Sequence, residues 1–139
     1  MTTFESNITV IPANIERIFA TLSDLTNLER LKAALPADKA SQIKEMTFDT
    51  DSLTIEVNPV GKLCMRIVDR DPFKTIKFAA ENSPIPFNLW IQLVSIGETE
   101  TKTRITVKAE LNPFIKPMVS KPLQEGINKM AEMLTVIPY

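Results

Sequence analysis

Across residues 43–111, about half of the chain, apolar and polar side chains alternate along six segments separated by short turns. No other feature narrows the fold so far. A period of two puts successive side chains on opposite faces of a strand. Thr103, Ile105, Val107, Ala109 and Leu111 set against Lys102, Arg104, Thr106, Lys108 and Glu110 show it cleanly. The strands read as 43–49, 52–58, 63–69, 74–81, 87–96 and 102–111. Thr50-Asp51, Asn58-Pro59-Val60-Gly61, Arg70-Asp71-Pro72-Phe73 and 97–101 supply turns, and 82–86 a loop. Consecutive strands joined this way make an antiparallel meander with one wet face and one buried face.

Helical periods flank the meander. A first strand over 3–11 has Phe4, Ile8 and Val10 on one face and Glu5, Asn7 and Thr9 on the other, and Pro12 ends it. Ile15, Ile18, Phe19 and Leu22 recur at helical spacing. After Ser23-Asp24, Thr26-Asn27-Leu28-Glu29 has capping-box spacing for a second helix, which turns Leu28, Leu31 and Leu35 inward and stops at Pro36. Near the C-terminus Pro113, Pro117 and Pro122 make the start of a helix irregular, with Ser120 as its cap. Leu123, Ile127, Met130 and Leu134 then form its stripe. The expected order is β-α-α, six strands, then α: an α+β single domain over 1–139 with a seven-stranded antiparallel sheet.

Composition excludes several chemistries. There is no histidine, so imidazole acid–base catalysis, imidazole-dependent triads and histidine-held metals are out. One cysteine, Cys64, cannot make an intrachain disulfide or a cysteine zinc cluster, and three scattered glycines form no phosphate-cradling loop. No metal and no cofactor is expected. Sixteen Lys+Arg against seventeen Asp+Glu leave a net charge of −1 without a basic run, which argues against nucleic acid. No apolar run is long enough for stable membrane insertion. The first residues show no positive region before an apolar run, and with the lone cysteine this favours a cytoplasmic location.

The element order resembles the START-like superfamily, also called SRPBCC or helix-grip, which includes polyketide cyclases and lipid-transfer domains. The residues carrying the resemblance are Ile8 to Ile11, Ile18-Phe19, Leu22-Ser23-Asp24 and Leu28. An aromatic residue common after the Ser-Asp corner is absent here, with Leu31 in its neighbourhood, as is the glycine-rich loop of the plant members. The resemblance implies a curved sheet wrapped around the long C-terminal helix, with an apolar cavity between them.

On that arrangement the inward residues are Met46, Phe48, Leu53, Ile55, Val57, Leu63, Met65, Ile67, Ile76, Phe78, Ala80, Ile105, Val107 and Ala109, with Met118, Ile127, Met130 and Leu134 from the helix. Almost none is titratable, whereas a catalytic cavity needs groups that are. The bland account is plain core; the functional one is that some line a cavity. Flexible methionines suit an adaptable wall. Met65, Phe78, Val107, Met118, Ile127 and Met130 are the candidate ligand contacts; Gly126 either lets a ligand or strand approach the helix closely or is a tolerated glycine. Strand 87–96 is apolar on both faces, Phe87, Leu89, Ile91 and Leu93 on one, Trp90, Val94 and Ile96 on the other. Trp90 is assigned to the pocket; the alternative puts it outside, as a homodimer interface.

Polar groups have structural explanations first. Asp49/Asp51 and Asp69/Asp71 flank turns, where aspartate is favoured. Arg66, Arg70 and Arg104 read as outward residues paired across strands with Glu56, Glu81 and Glu110. Arg66 is also the candidate for holding a ligand carboxylate at the cavity mouth. Cys64 reads as structural. The leading function is binding of a small hydrophobic molecule such as a lipid or polyketide. A polyketide cyclase- or dehydratase-like enzyme and a co-chaperone-like interaction module with a closed core are the alternatives.

Overall fold

The computed structural model describes residues 2–24, 47–57, 61–81 and 85–135. The second helix with Leu28, Leu31 and Leu35, the start of the strand at 43, Met46 and the turn at 58–60 lie outside them, as do the side chains of Phe48, Ile55, Glu56 and Val57. The elements are β1 (Thr2–Glu5), β2 (Thr9–Ile11), α1 (Ile15–Leu22), β3 (Thr47–Phe48), β4 (Ser52–Val57), β5 (Gly61–Asp71), β6 (Thr75–Ala80), β7 (Phe87–Ser95), β8 (Thr101–Ala109) and α2 (Lys116–Leu134). All strand pairs are antiparallel, in the spatial order β1-β8-β7-β6-β5-β4-β3, and β2 continues β1 along β8. Counted across the sheet there are seven strand positions, the first split in two. The meander is the one its alternation dictates.

The core lies on one face of this sheet. Leu63, Met65 and Ile67 of β5, Ile76 and Phe78 of β6, Phe87, Leu89, Ile91 and Leu93 of β7, and Ile105, Val107 and Ala109 of β8 are all buried. The long helix α2 crosses this face from β1, β2 and β8 to β4. Val119, Leu123, Ile127, Ala131 and Leu134 are its buried residues. It begins four residues before the expected cap, so Ser120 sits inside it and its Oγ donates to the Lys116 carbonyl at 2.6 Å. Pro117 falls at its first turn, where a missing N–H costs nothing, and Pro122 inside it removes one backbone bond. Helix α1 is capped by Asn14, whose side-chain oxygen accepts from the Glu16 N–H at 2.8 Å.

The first strand departs from the expected faces. Glu5 is opposite Thr106 but Thr9 is opposite Thr103, so one extra residue lies between β1 and β2. A one-residue bulge flips every later side chain to the other face. Phe4 is buried as expected; Ile8 and Val10 are exposed instead, and Ile11 is buried in their place. Buried Ser6 closes the bulge: its N–H donates to the Ile105 carbonyl and its Oγ accepts from the Ile105 N–H, both at 2.8 Å. Ser6→Ala leaves that interior N–H without its acceptor. The expected loss is about 1–3 kcal/mol of unfolding free energy, read as a lower urea midpoint with unchanged slope.

A second bulge corrects Arg70. Ile67 is opposite Phe78 but Asp69 is opposite Lys77, so Val68 is the extra residue. Beyond it Arg70 faces Ile76, whose side chain is on the core side. Arg70 therefore reaches inward over the sheet's end, not outward. It donates through Nε (3.1 Å) and Nη2 (2.9 Å) to the Ser23 carbonyl at the end of α1, and pairs with Asp51. A cation at a helix C-terminus complements the helix dipole. The next turn, Asp71 to Lys74, carries Phe73 at φ 62°, a strained value for a bulky side chain, with its ring 5.6 Å edge-on from Phe19 of α1. These contacts clamp α1 over one end of the core.

Candidate functional site

Between the sheet and α2 lies a cavity lined by Leu63, Met65, Ile85, Phe87, Leu89, Val107, Ala109, Leu123, Gly126, Ile127 and Met130. The strand residues come from the inner faces of β5, β7 and β8, where alternation brings every second side chain to the same side. The helix contributes positions 123, 126, 127 and 130, one face of a 3.6-residue period. The cavity volume is about 30 Å³, on a scale where one water needs roughly 10–15 Å³. Counting the part open to solvent, the space there is about 460 Å³. The interior is thus nearly filled, and half-buried Met130 stands at its edge.

No lining side chain carries a charge or a hydroxyl. Farther along the inner face of β8 the buried hydroxyls are satisfied: Thr101 Oγ1 donates to the Ala13 carbonyl and Thr103 Oγ1 to the Gln92 carbonyl, both at 3.0 Å. Among the described residues no buried side-chain polar atom lacks a partner, and no three acidic or cysteine side chains gather as metal ligands. Such a cavity offers van der Waals contact and exclusion of water, with no group to orient or ionise a ligand.

The helix is held over the cavity by polar ties to the first strand. Gln124 Nε2 donates to the Glu5 carbonyl at 2.8 Å, and the Asn7 N–H donates to Asn128 Oδ1 at 3.1 Å. Thr9 Oγ1 donates to the Ala131 carbonyl at 3.4 Å. The bulge at Ser6 makes this docking, since it turns Thr9 toward α2 in place of Ile8 and Val10. Gly126 is the conspicuous lining residue. Inside a helix glycine costs about 1 kcal/mol relative to alanine, yet a Cβ there would meet no atom within 4 Å. Packing does not require it.

Of the residues predicted from the sequence as ligand contacts, the structure brings Met65, Val107, Ile127 and Met130 to the cavity and leaves four away from it. Phe78 is fully buried on the inner face but is not among the lining residues. Trp90 is corrected to the outer face, because Leu89 and Ile91 occupy the inner parity of β7. There Lys77 and Lys108, from the strands on either side, hold their ammonium groups 5.4 and 5.8 Å from its ring. Met118 is 62% exposed, one residue out of phase with buried Val119. Arg66 also points outward and pairs with Glu81 at 3.2 Å, while Arg104 pairs with Glu5 at 2.9 Å. Cys64 accepts from Thr54 Oγ1 at 3.3 Å on the same outer side. Ile85 was invisible to periodicity because it lies in a loop; its one signal is an apolar residue set between two prolines.

No protein-family model matches the sequence, and no curated protein matches it. Solved structures do share the architecture. A START superfamily protein from Mycobacterium smegmatis superimposes with a TM-score of 0.70 at 14% identity, covering 96% of this chain and 94% of that one. Norcoclaurine synthase from Thalictrum flavum gives 0.70 at 13% identity, covering 96% and 84%. The Aha1 dimer from Colwellia psychrerythraea gives 0.56 at 16% identity, covering 98% of both chains. At these identities the likeness is one of fold: a START-like, helix-grip α+β architecture. No helix among the described residues is long and apolar enough to cross a membrane.

Proposed function

We propose that this chain, built on the START-like helix-grip fold, binds a small, predominantly apolar molecule between the concave face of its sheet and α2. The observation that carries this reading is a cavity walled by apolar side chains alone, with a helix glycine that packing does not demand and a half-buried methionine at its edge. Affinity would come from removing apolar ligand surface from water. A ligand larger than a few atoms enters as Met130 swings aside; thioether chains reorganise at low cost. No covalent step belongs to the proposal, since no lining side chain is titratable. A cytoplasmic location is part of it, resting on the single cysteine of the chain.

Native mass spectrometry of the purified protein, followed by denaturing extraction, tests the reading. The expected result is a stoichiometric apolar molecule, lost in Met130→Trp, where the indole occupies the cavity edge. Protein that carries nothing, and that shows no thermal shift with fatty alcohols, sterols or aromatic polyketides, would overturn it. The same spectrum gives the oligomeric state, and so tests whether the face around Trp90 joins two copies.

A further inference from the structure

Gly126 is explained neither by backbone conformation nor by packing. It lies within α2, outside the positive-φ region that favours glycine, and a Cβ at its place would enter open space. An alanine would therefore fit and strengthen the helix. What the missing methyl group leaves is room, and that room belongs to the cavity. On the sheet side the lining includes Ala109, buried and equally short. The lining also includes two unbranched chains, Met65 and Met130.

We infer that Gly126 sets the shape of what the cavity admits: a slot against the α2 backbone for one unbranched, uncharged alkyl end, with any polar head left at the mouth. This rests on the binding reading above and specifies its ligand class. When the Met130 side chain swings out, the space it vacates has the cross-section of a single alkyl chain, so the exchange is like for like. A methyl branch needs more width than that exchange leaves. A carboxylate cannot follow the alkyl end into the slot, because no lining side chain offers it a donor. A Cβ at position 126 would project into that room.

The test is titration of the full chain and of Gly126→Ala with n-decanol, its branched isomer dimethyloctanol, and decanoate, followed by methionine-methyl NMR. In the wild type n-decanol is expected to shift the Met65 and Met130 methyl signals and to bind about tenfold more tightly than the branched alcohol. In Gly126→Ala the melting temperature rises by a few degrees, and n-decanol affinity falls about tenfold. Met130→Ala, by widening the slot, brings the branched alcohol up to the affinity of the straight one. Equal n-decanol affinity in wild type and Gly126→Ala overturns the slot and leaves the binding function standing. So does a wild type that ignores n-decanol but carries another apolar molecule. A Gly126→Ala chain less stable than wild type also overturns it, because the space would then not be open. Failure of every apolar probe on the wild type overturns the binding function instead.

Discussion

Phe78→Ala lowers the unfolding free energy by about 3–5 kcal/mol, the cost of removing a large aromatic side chain from a tight core. Phe78 is fully buried in β6, opposite Ile67 of β5 and Leu89 of β7. Ladder hydrogen bonds hold its backbone on both sides, so the sheet cannot close over the void. Urea unfolding should show a lower midpoint at unchanged slope. The effect on a ligand is separate from the effect on stability. Phe78 is not among the residues that line the cavity, so the new void opens on the same face of the sheet without removing any of that lining. Binding of n-decanol is therefore retained or strengthened in the folded variant. A loss below about 1 kcal/mol, no more than an ordinary point substitution, would show that β6 does not anchor the core.

Val107→Asp is the second large effect, and it isolates charge from volume because the two side chains are close in size. Val107 is buried on β8, between β1 and β7, and faces the cavity. No basic side chain is among the lining residues. A buried, unpaired carboxylate there costs about 3–5 kcal/mol near neutral pH, the size seen when one partner of a buried ion pair is removed. The sign of the pH dependence follows. Burial holds the carboxyl proton more tightly in the folded chain than in the unfolded one. At low pH the group is neutral in both states and the penalty is smallest. As pH rises the unfolded chain ionises first and the stability difference from wild type grows. Val107→Thr, which adds a hydroxyl without charge, should cost only about 1–3 kcal/mol. Guanidinium denaturation of all three proteins across pH tests this, and a pH-independent difference between Val107→Asp and wild type would place position 107 in contact with water.

The strands of the meander and the inner faces of β6 and β8 were legible because each rests on a two-residue period. That period is set by backbone geometry alone. The same rule separates Leu89 from Trp90, but it cannot say which of two apolar faces turns inward. Only the helix lying against Leu89 and its neighbours decides that Trp90 faces out between two lysines. Bulges mislead the rule more deeply. One inserted residue near Ser6 exposes Ile8 and Val10, and another at Val68 carries Arg70 inward to the end of α1. Neither insertion has a local signature, since its benefit is tertiary: docking Thr9 and Asn7 on α2 in the first case and clamping α1 in the second.

The cavity divides along the same line. Its apolar character, the absence of titratable lining and the methionines and glycine that shape it were present in the order of residues along β5, β8 and α2. The rotation of α2 was not, because Pro113, Pro117 and Pro122 obscure where the helix begins. A shift of one position moves a side chain by about 100° around a helix, enough to expose Met118 and bury Val119. Local period thus determined which faces are apolar. The phase between one element and the next is a property of packing, and packing alone decided which apolar residues meet.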